Sequence, residues 1–178
     1  MKRILALFVA VAAIAIAAKG VTRQSLIAVE KSFDRALRGL NPDDPFVLLG
    51  FTQGVYLENY GAIFVAEVNL APGGGATPFR QVVPKEQLEK VRQAKLDRLP
   101  KLRKEMRDML VASGGMLDSV PVNEKIGIAV SLFHHPGEIT TGLPSQILME
   151  APRAALVELQ TGRRDRATID SVIRVQEF

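Results

Sequence analysis

One long amphipathic segment, from Pro84 to about Ser113, limits the folds open to this chain more than any other feature. Its apolar side chains lie within about 60° of a single line at 100° per residue, and the phase is kept across Pro100. They are Leu88, Val91, Leu99, Leu102, Met106, Met109 and Leu110. Because a break would reset the phase, the pattern predicts one helix with a kink at Pro100 rather than two helices.

Strands are predicted on both sides of this helix. Phe46–Thr52 and Gly54–Leu70 precede it and are rich in β-branched and aromatic residues. Glu124–Phe133 and Pro144–Glu150 follow it, and the first of these alternates large apolar residues with small ones. Within Ala62–Leu70 every even-numbered residue is apolar, which indicates a strand with one fully buried face and a central place in its sheet.

Shorter helices complete the predicted order. Thr22–Leu40 places its apolar residues on one helical face, and Pro152–Gln160 begins with proline and is followed by Gly162. Residues 168–178 fit a helix or a strand equally well. The sequence therefore predicts a single α+β domain over residues 22–178. It consists of a mostly antiparallel sheet of four to five strands, with the long kinked helix packed on one face and shorter flanking helices.

The first eighteen residues read as a secretory signal peptide. Met1-Lys2-Arg3 is positively charged, Ile4–Ala18 carries no charge, and Ala15-Ile16-Ala17 has the small residues of an Ala-x-Ala cleavage site. A membrane span needs about 20 apolar residues, so a cleaved leader is favoured over a retained anchor. The predicted location of the mature chain is the periplasm or cell envelope.

Composition narrows the classes of function. The chain has no cysteine, which excludes disulfides and lipidation at a cysteine. Cleavage removes Lys2 and Arg3, so the mature chain keeps 21 basic residues against 19 acidic ones, and this near-neutral charge argues against nucleic acid as a partner. Gly73-Gly74-Gly75 lacks the Gly-Lys-Ser/Thr ending of a phosphate-binding loop, and no cofactor is predicted.

The two histidines of the chain are adjacent, in the segment Phe133–Glu138. Imidazole is a common metal ligand and a base near pH 7, so His134, His135 and Glu138 form a candidate metal or acid–base cluster. Adjacent strand residues point to opposite faces, however, and the histidines converge only if the chain bends at Pro136-Gly137. A zinc site also needs three or four protein ligands. Solvated residues at a strand end are the competing interpretation.

The two tyrosines of the chain lie close together, on either side of Glu58 and Asn59. Tyr56, Glu58, Asn59 and Tyr60 are a candidate ligand-binding patch, since tyrosine combines an apolar ring with a hydrogen-bonding tip. Asn59 and Gly61 are equally what a hairpin turn with positive φ requires. The segment is therefore either a site or the bend of a hairpin.

The long helix concentrates basic charge, with nine basic and five acidic residues between Lys85 and Asp108. Such a helix could contact the headgroups of an anionic membrane peripherally. The basic residues are spread around its polar sides, and Lys95 falls on the apolar line itself. Because long basic side chains also cover apolar surface on ordinary helices, a solvated face is the alternative.

The order of motifs resembles a group of exported bacterial proteins. The likeness rests on Tyr-x-x-x-Tyr-Gly-Ala (Tyr56–Ala62), the long charged helix and the strand Glu124–Phe133, and covers about residues 46–178. It implies a bacterial cell-envelope setting, but no activity and no site residue. With no nucleophile motif in the chain, we expect a non-enzymatic binding or interaction module for an unknown protein or small-molecule ligand. The alternative is an envelope hydrolase or metal-dependent enzyme using His134, His135 and Glu138.

Overall fold

The computed structural model describes residues 20–39, 47–71 and 83–178. The predicted signal peptide and the glycine run at 73–75 lie outside these ranges. Within them, no helix is long and apolar enough to cross a membrane. The elements are α1 (Arg23–Gly39), β1 (Val47–Leu48), β2 (Gln53–Leu57), β3 (Gly61–Asn69), α2 (Lys85–Met116), β4 (Lys125–Leu132), β5 (Gln146–Pro152), α3 (Arg153–Gln160), a 3₁₀ turn (Arg166–Thr168), α4 (Ile169–Val172) and β6 (Arg174–Glu177).

The strands form one sheet in which β3, β4, β5 and β6 lie side by side. Strand β2 pairs with the first half of β3 and β1 with its last two residues, so both occupy the same edge of the sheet. The predicted α+β class with a mostly antiparallel sheet and one long helix is confirmed. The sheet has six strands rather than the predicted four to five, because the C-terminal segment that fitted a helix or a strand supplies β6.

Strands β3 and β4 are parallel, the one such pair in the described sheet. Parallel neighbours need a long crossover connection, and α2 provides it. The helix runs without interruption through Pro100, whereas the predicted kink there stays a prediction. It ends at Met116, beyond the predicted end at Ser113. Gly114 lies inside the helix, where the lack of a side chain lets α3 pack closely: a Cβ there would be only 2.8 Å from the Cβ of Leu156.

A single hydrophobic core lies between the helices and one face of the sheet. The even-numbered residues of β3 and β4 and the odd-numbered ones of β5 point into it, and the Phe33 ring of α1 meets Phe64 edge-on at 5.1 Å. Each such large side chain contributes about 1.5–3 kcal/mol through burial. The predicted stripe of α2 is buried over its second half: Leu99, Leu102, Met106, Met109 and Leu110.

Two predicted local features are resolved by the structure. Asn59 has a φ of 65° and Gly61 a φ of 128°, so the chain between Tyr56 and Gly61 is the turn of a β2–β3 hairpin. The ambiguous C-terminal segment contains both structures, because one helical turn, α4, leads directly into β6.

Candidate functional site

Lys95 is a buried lysine within the apolar stripe of α2. Its side chain is 1% exposed, and it lies one turn before Leu99 on the same helical face. The ammonium group donates a hydrogen bond to the carbonyl of Phe133 at 3.0 Å and another to the carboxylate of Glu138. It also lies 3.3 Å from Nδ1 of His134. Three residues of the β4–β5 connection therefore converge on one lysine.

Both ring nitrogens of His134 lie near polar atoms of this cluster. A lysine ammonium has three donors and no acceptor, so Nδ1 of His134 is the acceptor in the contact with Lys95. Nε2 faces the carbonyl of Pro144 at 3.4 Å. The Glu138 side chain is 2% exposed, and its Oε1 has no hydrogen-bond partner within the described structure. The ammonium of Lys95 thus has a partner for each of its three hydrogens, whereas one carboxylate oxygen of Glu138 has no partner within the described structure.

This cluster ties the β4–β5 connection to α2. A second contact does the same on the outside, where Nε of Arg92 donates to the carbonyl of Thr141 at 2.8 Å. A buried ion pair contributes little net stability by itself, but removing one partner leaves an uncompensated buried charge. The arrangement fits a structural clamp that is closed to solvent.

The predicted metal or acid–base cluster is brought together only in part. A turn at Gly137, whose φ is 86°, places Glu138 3.7 Å from Nδ1 of His134. His135 points elsewhere and packs edge-on against the Phe133 ring at 4.8 Å. Lys95 bonds to both His134 and Glu138, where a metal ion would have to bind. Across the described ranges, no group of three or more His, Cys, Asp or Glu residues is placed to hold a metal.

Tyr60 belongs to a network on the sheet face that lies away from the helices. Its hydroxyl donates to Oε2 of Glu150 at 2.6 Å, and Nζ of Lys125 is 3.0 Å from Oε1 of the same carboxylate. Burial and then the bond to Glu150 raise the pKa of Tyr60 to about 12. Burial would raise the pKa of Glu150, but the hydrogen bonds from Tyr60 and Lys125 outweigh it and hold that pKa below its usual value.

Tyr56 lies on the opposite face of the sheet. It pairs with Ala62, packs against the core, and donates a hydrogen bond to Oε1 of Glu124 at 3.2 Å. Burial, followed by the contact with Glu124, raises the pKa of the Tyr56 hydroxyl. Both tyrosines thus bind a glutamate, but from different sides.

The predicted ligand-binding patch is therefore not assembled. Glu58 and Asn59 are exposed in the turn, while Tyr56 and Tyr60 point to opposite sides of the sheet. The reason is the tight turn, which reverses the chain between the two tyrosines. The hairpin explains the segment, and the two rings do not share a cleft.

One face of the sheet carries no described helix, and we call it the open sheet face. The large apolar side chains at its β2–β3 side are strongly exposed: 47% for Val55, 46% for Leu57 and 43% for Val65. The strand register places the following residues on it: Gln53, Val55, Leu57, Ile63, Val65, Glu67, Lys125, Gly127, Ala129, Ser131, Gln146, Leu148, Glu150, Arg174 and Gln176.

A shallow groove of about 370 Å³ lies at one end of the open sheet face. Phe51, 71% exposed, contributes to its lining, and the guanidinium of Arg38 lies 5.6 Å from the centre of the Phe51 ring. The groove is lined by Leu49, Phe51, Gln53, Val65, Ala66, Glu67 and Ser131. Four of these residues are apolar and three are polar, among them Glu67 with its exposed carboxylate.

The basic helix is largely neutralised. At least six of its nine cations form ion pairs within the described ranges, including Lys95 with the buried Glu138, and the partners of these six come from α2 itself and from later segments. Contact with an anionic membrane through α2 stays a prediction, but less uncompensated charge is available for it than the composition indicates. The pairs are Lys90–Glu86, Arg92–Glu89, Lys95–Glu138, Arg103–Glu177, Lys104–Asp108 and Arg107–Asp170.

The open sheet face was not predicted as a site. Two signals for it exist in the sequence: Val55 and Leu57 alternate with residues that face the core, and Val65 lies on the odd-numbered face of β3. Without the sheet order, however, a helix could have covered that face.

Comparison of the chain with protein-family models, curated proteins and solved structures finds no match.

Proposed function

We propose that the mature protein is a non-enzymatic interaction module of the periplasm or cell envelope that binds a protein partner through the open sheet face. The observation that carries this proposal is the exposure of Val55, Leu57 and Val65 on adjacent strands. Single exposed apolar residues are ordinary, whereas a contiguous apolar patch is typical of an interaction surface.

The shape of the surface supports a protein rather than a small molecule. The groove beside Phe51 is shallow, and the rest of the face is a sheet surface with small residues at Gly127 and Ala129. Small-molecule sites are usually concave and enclose most of their ligand. Protein interfaces are broader, and their centres are apolar and aromatic.

The export part of the proposal rests on the basic start, apolar stretch and small-residue site of residues 1–18. The enzymatic alternative has less support. Of the residues it would use, His134 and Glu138 are held by Lys95, and His135 packs against Phe133.

Site-specific photo-crosslinking in the producing cell tests the proposal. A photoreactive phenylalanine is placed at Val65, on the open sheet face, or at Lys101, which is exposed on α2 on the other side of the molecule. We expect a discrete crosslinked species from position 65 in the envelope fraction and none from position 101. Identical patterns from the two positions, or no adduct from position 65, would contradict a partner-binding role for this face.

A further inference from the structure

The open sheet face carries opposite charges at its two ends. Glu67 is exposed near the end of β3 and forms no ion pair within the described ranges. At the other end, Lys125 and Arg174 lie 3.0 and 3.6 Å from a single carboxylate, that of Glu150. The two cations share this one carboxylate, and the Lys125 side chain is still 42% exposed, so its ammonium can also meet an anion from outside.

The two charged ends are separated by an apolar middle. Glu67 pairs with Ser131, which lies six residues beyond Lys125 on β4, a distance of about 20 Å along the strand. Val65 and Leu148 lie between them, beside the small residues Gly127 and Ala129. Small side chains on a central strand let another sheet approach closely.

We propose that the occupant of the open sheet face is a second copy of this chain. The two faces pack against each other with their strands running in opposite directions, so that Glu67 of each copy meets Lys125 of the other. Glu67 and Lys125 lie on adjacent strands, and bringing them together tilts the two sheets by about 30°, as in aligned sandwiches. The inference rests on the proposed function, because it names the partner for the same face.

Charge selects this orientation over its alternative. With the strands of both copies running in the same direction, Glu67 would face Glu67 and the two positive ends would also meet, and such like-charge contacts oppose association. The reversed orientation forms two equivalent Glu67–Lys125 pairs around an apolar centre. A self-complementary patch of this kind is what an interface with two-fold symmetry requires.

Analytical ultracentrifugation of the purified mature chain and its variants tests the proposal. We expect the wild-type chain to dimerise, and Glu67→Lys and Lys125→Glu each to weaken the homodimer about tenfold or more, because each variant opposes two like-charge pairs. An equimolar mixture of the two variants should recover the dimer, since both contacts are then attractive. Lys101→Glu, the same charge change on α2, should leave association unchanged.

Melting curves by circular dichroism accompany each variant, because Lys125 also binds Glu150. If Lys125→Glu does not fold, Val65→Asp replaces it, and this substitution must abolish the dimer while leaving the melting temperature unchanged.

Two results would overturn the proposal: a wild-type chain that stays monomeric at all concentrations, and a mixture that recovers no association. If the chain is monomeric but still crosslinks to a different protein from position 65, the homodimer is excluded and the proposed function is kept. If the chain is monomeric and gives no crosslink from position 65, both the homodimer and the proposed function are excluded.

Discussion

Gly61 is a residue at which the sheet tolerates no side chain. Its φ of 128° is a conformation that residues with a Cβ rarely adopt, and a Cβ built there would overlap the backbone carbonyl of Lys125. At the same point the Lys125 amide donates to the carbonyl of Tyr60 at 2.8 Å. Gly61 thus lets the hairpin turn and the start of β4 meet without a gap.

We expect Gly61→Ala to lower the free energy of unfolding by about 3 kcal/mol or more, because backbone strain is added to a clash with backbone atoms that cannot rotate away. Urea unfolding followed by circular dichroism measures the loss.

Gly50→Ala is the matched control for this change. Gly50 also has a positive φ, of 81°, but nothing lies within 4 Å of a Cβ built there. The free energy of unfolding of Gly50→Ala should therefore fall only by the conformational cost of a positive φ, about 1–2 kcal/mol. Equal losses in the two variants would show that close packing on Lys125 has no part in the effect.

The sequence predicted the turn role of Gly61 but not its packing role. A positive φ follows from local chemistry, since Asn59 and Gly61 are typical turn residues. The contact with Lys125 joins residues 64 positions apart (125 minus 61), and no local pattern indicates such a neighbour.

Among the elements, the connection between β4 and β5 depends on α2 through Lys95. We expect Lys95→Met to destabilise the protein by about 3–5 kcal/mol, because the buried carboxylate of Glu138 is left without its partner. The double variant Lys95→Met with Glu138→Leu should recover most of this loss, since apolar residues often replace a buried ion pair at little cost.

Chemical denaturation of the wild type, both single variants and the double variant gives the coupling energy between the two residues. Lys101→Met, an exposed change six residues further along α2, should stay within about 0.5 kcal/mol of the wild type. A Lys95→Met loss no larger than that of Lys101→Met would rule out the clamp.

Elements were predicted better than the contacts between them. The helix α2 and the strand β4 follow from apolar periodicity alone, and Lys95 was found on the apolar line. The burial of Lys95 against His134 and Glu138 was not predicted. An exposed lysine whose stem covers apolar surface would also lie on the apolar line of the helix, so the sequence pattern does not distinguish the two cases. The i, i+4 approach of His134 and Glu138 arises from the turn at Gly137, outside any regular element.

At the scale of the whole molecule, two carboxylates with lowered pKa values make stability fall in acid, whereas burial raises the pKa of Glu105 and opposes them. The hydrogen bond from Arg103 holds the pKa of Glu177 below its usual value, and the bonds to Glu150 do the same there against the effect of burial. A lowered folded-state pKa gives stability that is fully present above the unfolded value of 4.5 and is lost as pH falls through the folded-state value.

We therefore expect the free energy of unfolding to be constant from pH 7 to about 5 and then to fall, by at most about 1.4 kcal/mol per pH unit for each of the two groups. Urea titrations at a series of pH values measure this. In Glu150→Gln the free energy of unfolding should fall less steeply below pH 5. An unchanged slope in this variant would assign the loss of stability to other groups.

The overall class was predictable, but the arrangement of the sheet was not. Alternation with a period of two is the same in parallel and antiparallel strands, so nothing in Gly61–Asn69 or Lys125–Leu132 indicates that β3 and β4 run in parallel. The open sheet face follows from that order, because all described helices pack on the other side. The surface that carries the proposed function is thus a property of topology rather than of any motif.

The parallel pairing of β3 and β4 also has a kinetic consequence. The β2–β3 hairpin and the antiparallel strands β4, β5 and β6 each form from consecutive strands of the chain, but joining them closes a loop of 64 residues from Gly61 to Lys125. Such distant contacts form slowly, because loop closure costs entropy before any pairing is gained. We therefore expect the slow step of folding to be the pairing of β3 with β4, with α2 as the connection between them.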